Sequence, residues 1–295
     1  MLNKGHILDE KYEVIKVLGK SDMGAVYLCK NIRLESLWTI KEVKEEFKKN
    51  IGFLLESNIL KKLRHRGISK TVDIFFDNDN LYMVREYIDG QTLNEYLKKN
   101  KFIETKDIYH IASSICDIIA YLHSANPPIV YRNLKPSNIL ITPNGKVSLI
   151  DFGISKIDKI DENQQYDTGQ SNRQTDIYNI GELMYFMATG KVPSISLEPL
   201  IDDNYDNDVD SNFKKIIQKC FQIDIKERYA SVEELNNEII VEMLKKNKDE
   251  NTSISISSNI NQEVSKENTV LQDVKKLQRS LIGVLALIVI IFIIT

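Results

Sequence analysis

The feature that most narrows the fold is a change of hydrophobic period near residue 90. Before it, apolar residues alternate in short runs at 12–18, 25–29, 37–43, 71–76 and 81–87, with one helically spaced stretch at 51–63. Alternation sends successive side chains to opposite faces of a strand, so this portion predicts a small sheet with one helix. From Leu93 the spacing is helical, over 93–99 and then 106–124, where Ile108, Ile111, Ile115, Ile118, Ile119 and Leu122 share one face. Asp89-Gly90 is a turn signal with no long linker beside it, so the two portions are expected to form one α+β, bilobal unit around a cleft. Short runs at 139–142 and 146–150, joined by Pro143-Asn144-Gly145, predict a hairpin inside the helical lobe. No internal repeat is present.

Composition removes several alternatives. The formal charge of −3 arises from 39 basic and 42 acidic residues spread along the chain, which leaves no basic face for nucleic acid. Cys29, Cys116 and Cys220 lie far apart, with no Cys-x-x-Cys pair and no histidine at ligand spacing, so neither a disulfide framework nor a zinc site is predicted. A reducing cytosol suits them best.

Between the first two strands, Gly19-x-Ser21-x-x-Gly24-x-Val26 offers backbone N–H groups that could cover phosphates, although two glycines in a hairpin also serve as plain turn residues. The next strand carries Trp38-Thr39-Ile40-Lys41. A lysine in an apolar strand either needs an anionic partner, for which Glu56 on the following helix is available, or snorkels to solvent from an edge. The second lobe contains Ile129-Val-Tyr-Arg-Asn-Leu-Lys-Pro-Ser-Asn-Ile-Leu140 and, after the hairpin, Ser148-Leu-Ile-Asp-Phe-Gly153.

In order and spacing these segments resemble the catalytic loop and the Asp-Phe-Gly motif of eukaryotic-like (Hanks-type) bacterial Ser/Thr protein kinases, over residues 10–245. The resemblance implies an N-lobe at 10–87, a C-lobe at 88–245, and ATP with Mg²⁺ or Mn²⁺ as cofactor. It makes Lys41 the clamp on the α- and β-phosphates with Glu56 as its ion-pair partner, and Asn138 and Asp151 the metal ligands. Lys135 would neutralise charge on the transferring phosphoryl group. The hinge Glu86-Tyr87-Ile88 would offer backbone groups to adenine, with Gly19 and Gly24 over the phosphates. Leu18, Val26 and Leu140 would be the apolar walls, although ordinary core residues would look the same in sequence. Asp176, in Gln174-Thr-Asp-Ile-Tyr178, matches the aspartate that holds the catalytic-loop backbone.

The sequence also departs from that pattern. Asn133 stands where the catalytic aspartate is expected, and an amide cannot accept the substrate hydroxyl proton at neutral pH. A positioned base contributes roughly 10²- to 10⁴-fold, about 3 to 5 kcal/mol of barrier. Tyr131 replaces the usual histidine and is read as core. The Ala-Pro-Glu segment is missing, so the peptide platform is expected to be trimmed and Arg228 to lack its usual glutamate partner. Thr168, Ser171 and Thr175 are candidate phosphorylation positions near Arg132, but in so polar a stretch they read more simply as loop residues. Arg85 lies at the back of the adenine pocket, where a buried guanidinium needs a carboxylate; Glu56 and Asp151 are the candidates. Ser21 and Thr39 replace a glycine and an alanine, which suggests altered nucleotide handling.

After Lys246 the composition turns to Asn, Ser, Lys, Glu and Gln, as expected of a disordered polar tether over 246–279. Residues 280–295 are apolar apart from their ends. As a helix they would reach about 24 Å, a little short of a ~30 Å hydrocarbon core, a gap that local thinning can close. Lys275, Lys276 and Arg279 before them predict a single-pass C-terminal anchor with the lobes in the cytoplasm. Three readings of function remain: a membrane-tethered pseudokinase that binds ATP and an unidentified protein partner, an atypical active Ser/Thr kinase with a protein substrate, and an interaction scaffold that binds no nucleotide.

Overall fold

The computed structural model describes residues 1–21, 24–44, 61–99, 103–150, 168–191 and 211–246, without the side chains of Ser21 and residues 168–172. The elements that position the site lie in one compact unit, Met1–Glu242. Most of the helix expected at 51–63, the tether and the apolar segment 280–295 fall outside the described residues. Among the described residues no helix is long and apolar enough to cross a membrane.

The N-terminal lobe is a six-stranded antiparallel sheet: β1 (Ile7–Leu8), β2 (Tyr12–Ser21), β3 (Gly24–Asn31), β4 (Leu37–Val43), β5 (Thr71–Asp77) and β6 (Asn80–Glu86), in the order β1-β2-β3-β4-β6-β5. Its register separates two faces. Val26, Lys41 and Met83 lie side by side across three strands, and Leu28, Thr39 and Arg85 form the next row on the same face. The opposite face carries the core of the lobe, where Tyr27, Cys29, Ile40, Tyr82 and Val84 pack with Leu8, Tyr12 and Val14. Glu42 points into this second face and is buried. Its carboxylate accepts from Tyr27 Oη at 2.7 Å, Tyr82 Oη at 3.1 Å and Asn80 Nδ2 at 3.0 Å, which meets the cost of burying it.

The C-terminal lobe begins with β7 (Gln91–Thr92) and α1 (Leu93–Lys99), followed by α2 (Thr105–His123). The apolar residues of α2 that share a face in the sequence are all buried, as the period demands. The hairpin is formed by β8 (Ile139–Ile141) and β9 (Val147–Leu149), and β7 adds a third strand to it. Helices α3 (Thr168–Thr189), α4 (Ser211–Cys220) and α5 (residues 232–246) complete the lobe. Strand β9 also bridges to Ile68 in parallel, and Leu149 N–H donates to Gly67 O at 2.8 Å, so the approach to β5 is fastened to the hairpin.

The structure adds two short strands and corrects one expectation. Strands β1 and β7 have two residues each, too few to show a period, and were not predicted. The stretch around Thr168, Ser171 and Thr175 is the start of α3, not loop: its low apolarity hides a helix that packs against α2 and α4.

Candidate active site

The inner face of the N-lobe sheet supplies one wall. Lys41 is half-buried there, in register with Val26 and Met83. Leu18 is 43% exposed, and Val26 and Leu140 are intermediate, so none of the three belongs to the buried core. Their exposure sets all three apart from the fully buried residues of the core alternative. The two glycines differ. Gly24 has φ +151°, and a Cβ there would lie 2.1 Å from the backbone oxygen of Glu42, so β3 needs glycine to pass β4. At Gly19 a Cβ would meet nothing within 4 Å, which leaves open space above that backbone.

The position expected at the back of the adenine pocket is polar and buried. Arg85 is 4% exposed, and its Nη1 donates to Ile150 O at 2.5 Å. This acceptor is a carbonyl, which the sequence did not suggest; the carboxylates expected, Glu56 and Asp151, lie outside the described residues. Ser69 is also buried, and its hydroxyl donates to Glu86 O at 2.8 Å, while Glu86 N–H donates to Lys70 O at 3.0 Å. Of the predicted hinge, Glu86 thus has both backbone groups engaged, with the second lone pair of its carbonyl left for a ligand. The sequence carried no signal for Ser69, because one serine before a strand is unremarkable until the fold sets it behind the hinge.

The catalytic-loop segment is held by one carboxylate. Asp176, fully buried on α3, accepts from Tyr131 N–H at 2.8 Å and Arg132 N–H at 2.7 Å, and pairs with His123 Nε2 at 2.9 Å. This fixes Arg132 at φ +56°, a left-handed conformation that a non-glycine residue adopts only when its surroundings hold it. Tyr131 is buried, as read from the sequence. Asn133 follows, intermediate in exposure, and Lys135 is exposed. Asn138 is 8% exposed, and its Nδ2 donates to Asn133 O at 2.9 Å. That bond turns the amide so that Oδ1, approached by Ser137 Oγ only at 3.5 Å, remains an oxygen donor of the kind Mg²⁺ or Mn²⁺ takes. Asn138 therefore fits the predicted metal-ligand position; Asp151 lies outside the described residues.

Arg228 does not need the missing glutamate to be satisfied. Its Nη1 donates to Gln174 O at 2.9 Å, its Nε and Nη2 to Gln222 O at 3.2 and 2.7 Å, and the guanidinium lies 5.5 Å over the Tyr178 ring. Backbone carbonyls at the start of α3 and the end of α4 thus replace a carboxylate.

A two-lobed fold with a lysine on the inner face of the sheet, a loop held by a buried helix aspartate and a fixed asparagine defines a kinase-like protein. The protein kinase domain family matches residues 12–263, and the chain belongs to that family. Curated relatives include a probable serine/threonine-protein kinase of Clostridium perfringens, 26% identical over 86% of this chain and 41% of its own length. Another is serine/threonine-protein kinase PrkC of Bacillus subtilis, 27% identical over 80% of this chain and 41% of its own length. The chain thus spans about two fifths of the length of these relatives. Among solved structures, the Mycobacterium tuberculosis PknI kinase domain superposes with a TM-score of 0.65 at 18% identity, covering 81% of this chain and 98% of that one. Rad53 1–466 in complex with AMP-PNP gives 0.64 at 22% identity, over 77% and 64%. At these identities the structural likeness speaks for the fold alone.

Proposed function

We propose that this protein is a membrane-tethered pseudokinase: a kinase-like signalling domain that binds ATP with Mg²⁺ or Mn²⁺ but transfers phosphate weakly or not at all. The observation that carries the reading is the contrast at the catalytic loop. Its supports, Asp176 on Tyr131 and Arg132 and Asn138 on Asn133, are in place, while the side chain at the base position is an amide. Bound ATP would supply the phosphoryl group. Lys41 would orient the phosphates, Asn138 would present Oδ1 to the metal, and Lys135 would offset charge on the phosphoryl oxygens. Asn133 can donate a hydrogen bond to a substrate hydroxyl or accept one, but it cannot take up the proton.

The competing reading, an atypical active kinase, draws on the same retained residues, since phosphoryl transfer depends mostly on positioning and electrostatics. Two measurements on the full chain separate them. A thermal-shift titration with ATP and Mg²⁺ or Mn²⁺ should raise Tm, because a ligand that binds only the folded state stabilises it by about 2.7 kcal/mol at one hundred times its Kd. Phosphate transfer to a generic protein substrate should be near background. No shift would favour the scaffold reading, and wild-type turnover in the ordinary kinase range of ~1–100 s⁻¹ would establish the active one.

A further inference from the structure

Arg85 is the one arginine among the described residues whose side chain is buried at the inner face of the sheet. Taking a guanidinium out of water costs several kcal/mol, which only converging acceptors can offset. One such acceptor is the carbonyl of Ile150, at 2.5 Å and 65 positions away in the chain. A hydrogen bond from a cationic donor is about twice as strong as a neutral one.

Ile150 is itself fastened on its other side. Its N–H donates to Asn138 O at 3.0 Å, the Asn138 side chain donates to Asn133 O at 2.9 Å, and Asn138 N–H donates to Lys135 O at 2.9 Å. The bonds form a continuous line from β6 through the end of the hairpin to the catalytic loop. Ile150 is also the residue immediately before Asp151. A small displacement of its peptide would therefore move both the root of one predicted metal ligand and the backbone that carries the other.

We propose that Arg85 is a positioning residue that ties the N-lobe sheet to the Ile150 peptide and, through Asn138, holds the catalytic loop in its binding geometry before nucleotide arrives. The proposal rests on the nucleotide-binding reading for its purpose, but the link itself is present in the protein alone. It accounts for a charged residue at a position on the inner face of the sheet that an apolar one could fill.

The test is hydrogen exchange of the full chain in detergent, read by mass spectrometry, for wild type, Arg85→Met and Arg85→Lys. Loss of a charge-assisted bond worth about 1.5–3 kcal/mol should speed exchange in peptides covering 133–150 by about ten-fold or more. Peptides from the β2–β3 hairpin should be unchanged, and Arg85→Lys, which keeps a cationic donor, should restore part of the protection. If Arg85→Met does not fold, Arg85→Gln carries the same expectation, since a shorter neutral amide cannot hold the carbonyl as firmly. Unchanged exchange over 133–150 overturns the proposal, as does an equal rise throughout the sheet. A parallel thermal-shift titration with ATP and Mg²⁺ keeps the two ideas apart. No shift with the expected exchange pattern upholds the Arg85 link and counts against nucleotide binding; a normal shift with unchanged exchange does the reverse.

Discussion

Asn133 and Asn138 show how one residue type does two jobs according to what holds it. Asn138 is buried and anchored through Nδ2, so its oxygen can face a cation; Asn133 is engaged through its backbone carbonyl, and its amide has no basic lone pair to offer. Asn133→Asp should therefore raise phosphate transfer by at most ~10²-fold, because the missing Ala-Pro-Glu segment still limits peptide docking. Asp151→Asn in that background should remove the gain. A steady-state assay with radiolabelled ATP reads both, and an Asn133→Asp variant as active as an ordinary kinase would show that the platform is not limiting. The roles proposed for these residues come from the sequence because they occur at fixed offsets in one short motif. The carbonyl partners of Arg85 and Arg228 were not, because every residue has a carbonyl and nothing in the sequence singles out one.

At the scale of elements, the β2–β3 hairpin separates a structural glycine from an open one. Gly24→Ala would press a methyl against the Glu42 carbonyl, an atom of the sheet that cannot move aside, and should cost at least ~2 kcal/mol, or roughly 4–8 °C in Tm for a domain of this size. Gly19→Ala should leave Tm within a degree or two while weakening the ATP-induced shift, if phosphates sit over that backbone. Calorimetry on the two variants decides it; equal losses of Tm would mean that Gly19 is a turn residue and no more. The outer face of the same sheet sets a limit at high pH. Burial pushes the Cys29 thiol up from 9.0 to about 12 and the Tyr27 phenol up from 10.0 to about 12, and burial together with the Glu42 carboxylate raises Tyr82 as well. The folded state holds these protons more tightly than the unfolded chain, so their contribution is complete below about pH 9 and declines as pH climbs toward 12. Urea midpoints should be flat in this respect up to pH 9 and lower at pH 11; a midpoint at pH 11 equal to that at pH 8 would contradict the assignment.

For the whole molecule, the proposed anchor makes the simplest prediction. Deleting residues 280–295 should move the protein from the membrane to the soluble fraction with the thermal transition of the kinase domain retained, and a truncated chain that still sediments with membranes would remove the anchor. The two-lobed plan was readable because it rests on period: alternation over five strands, helical spacing over α2 and a hairpin between two apolar runs are all local patterns. The family followed from short motifs, and so did the substitution at Asn133, because a catalytic loop must present its groups at set spacings whatever surrounds them. Contacts between segments far apart in the chain were decided by tertiary structure alone. It placed Ser69 behind the hinge, aimed Arg85 at Ile150, gave Arg228 the carbonyls of Gln174 and Gln222, and made a helix of the polar stretch at Thr168. Each of these joins a side chain to a backbone group or to another element's surface, and such partners leave no mark in the spacing of residues along the chain.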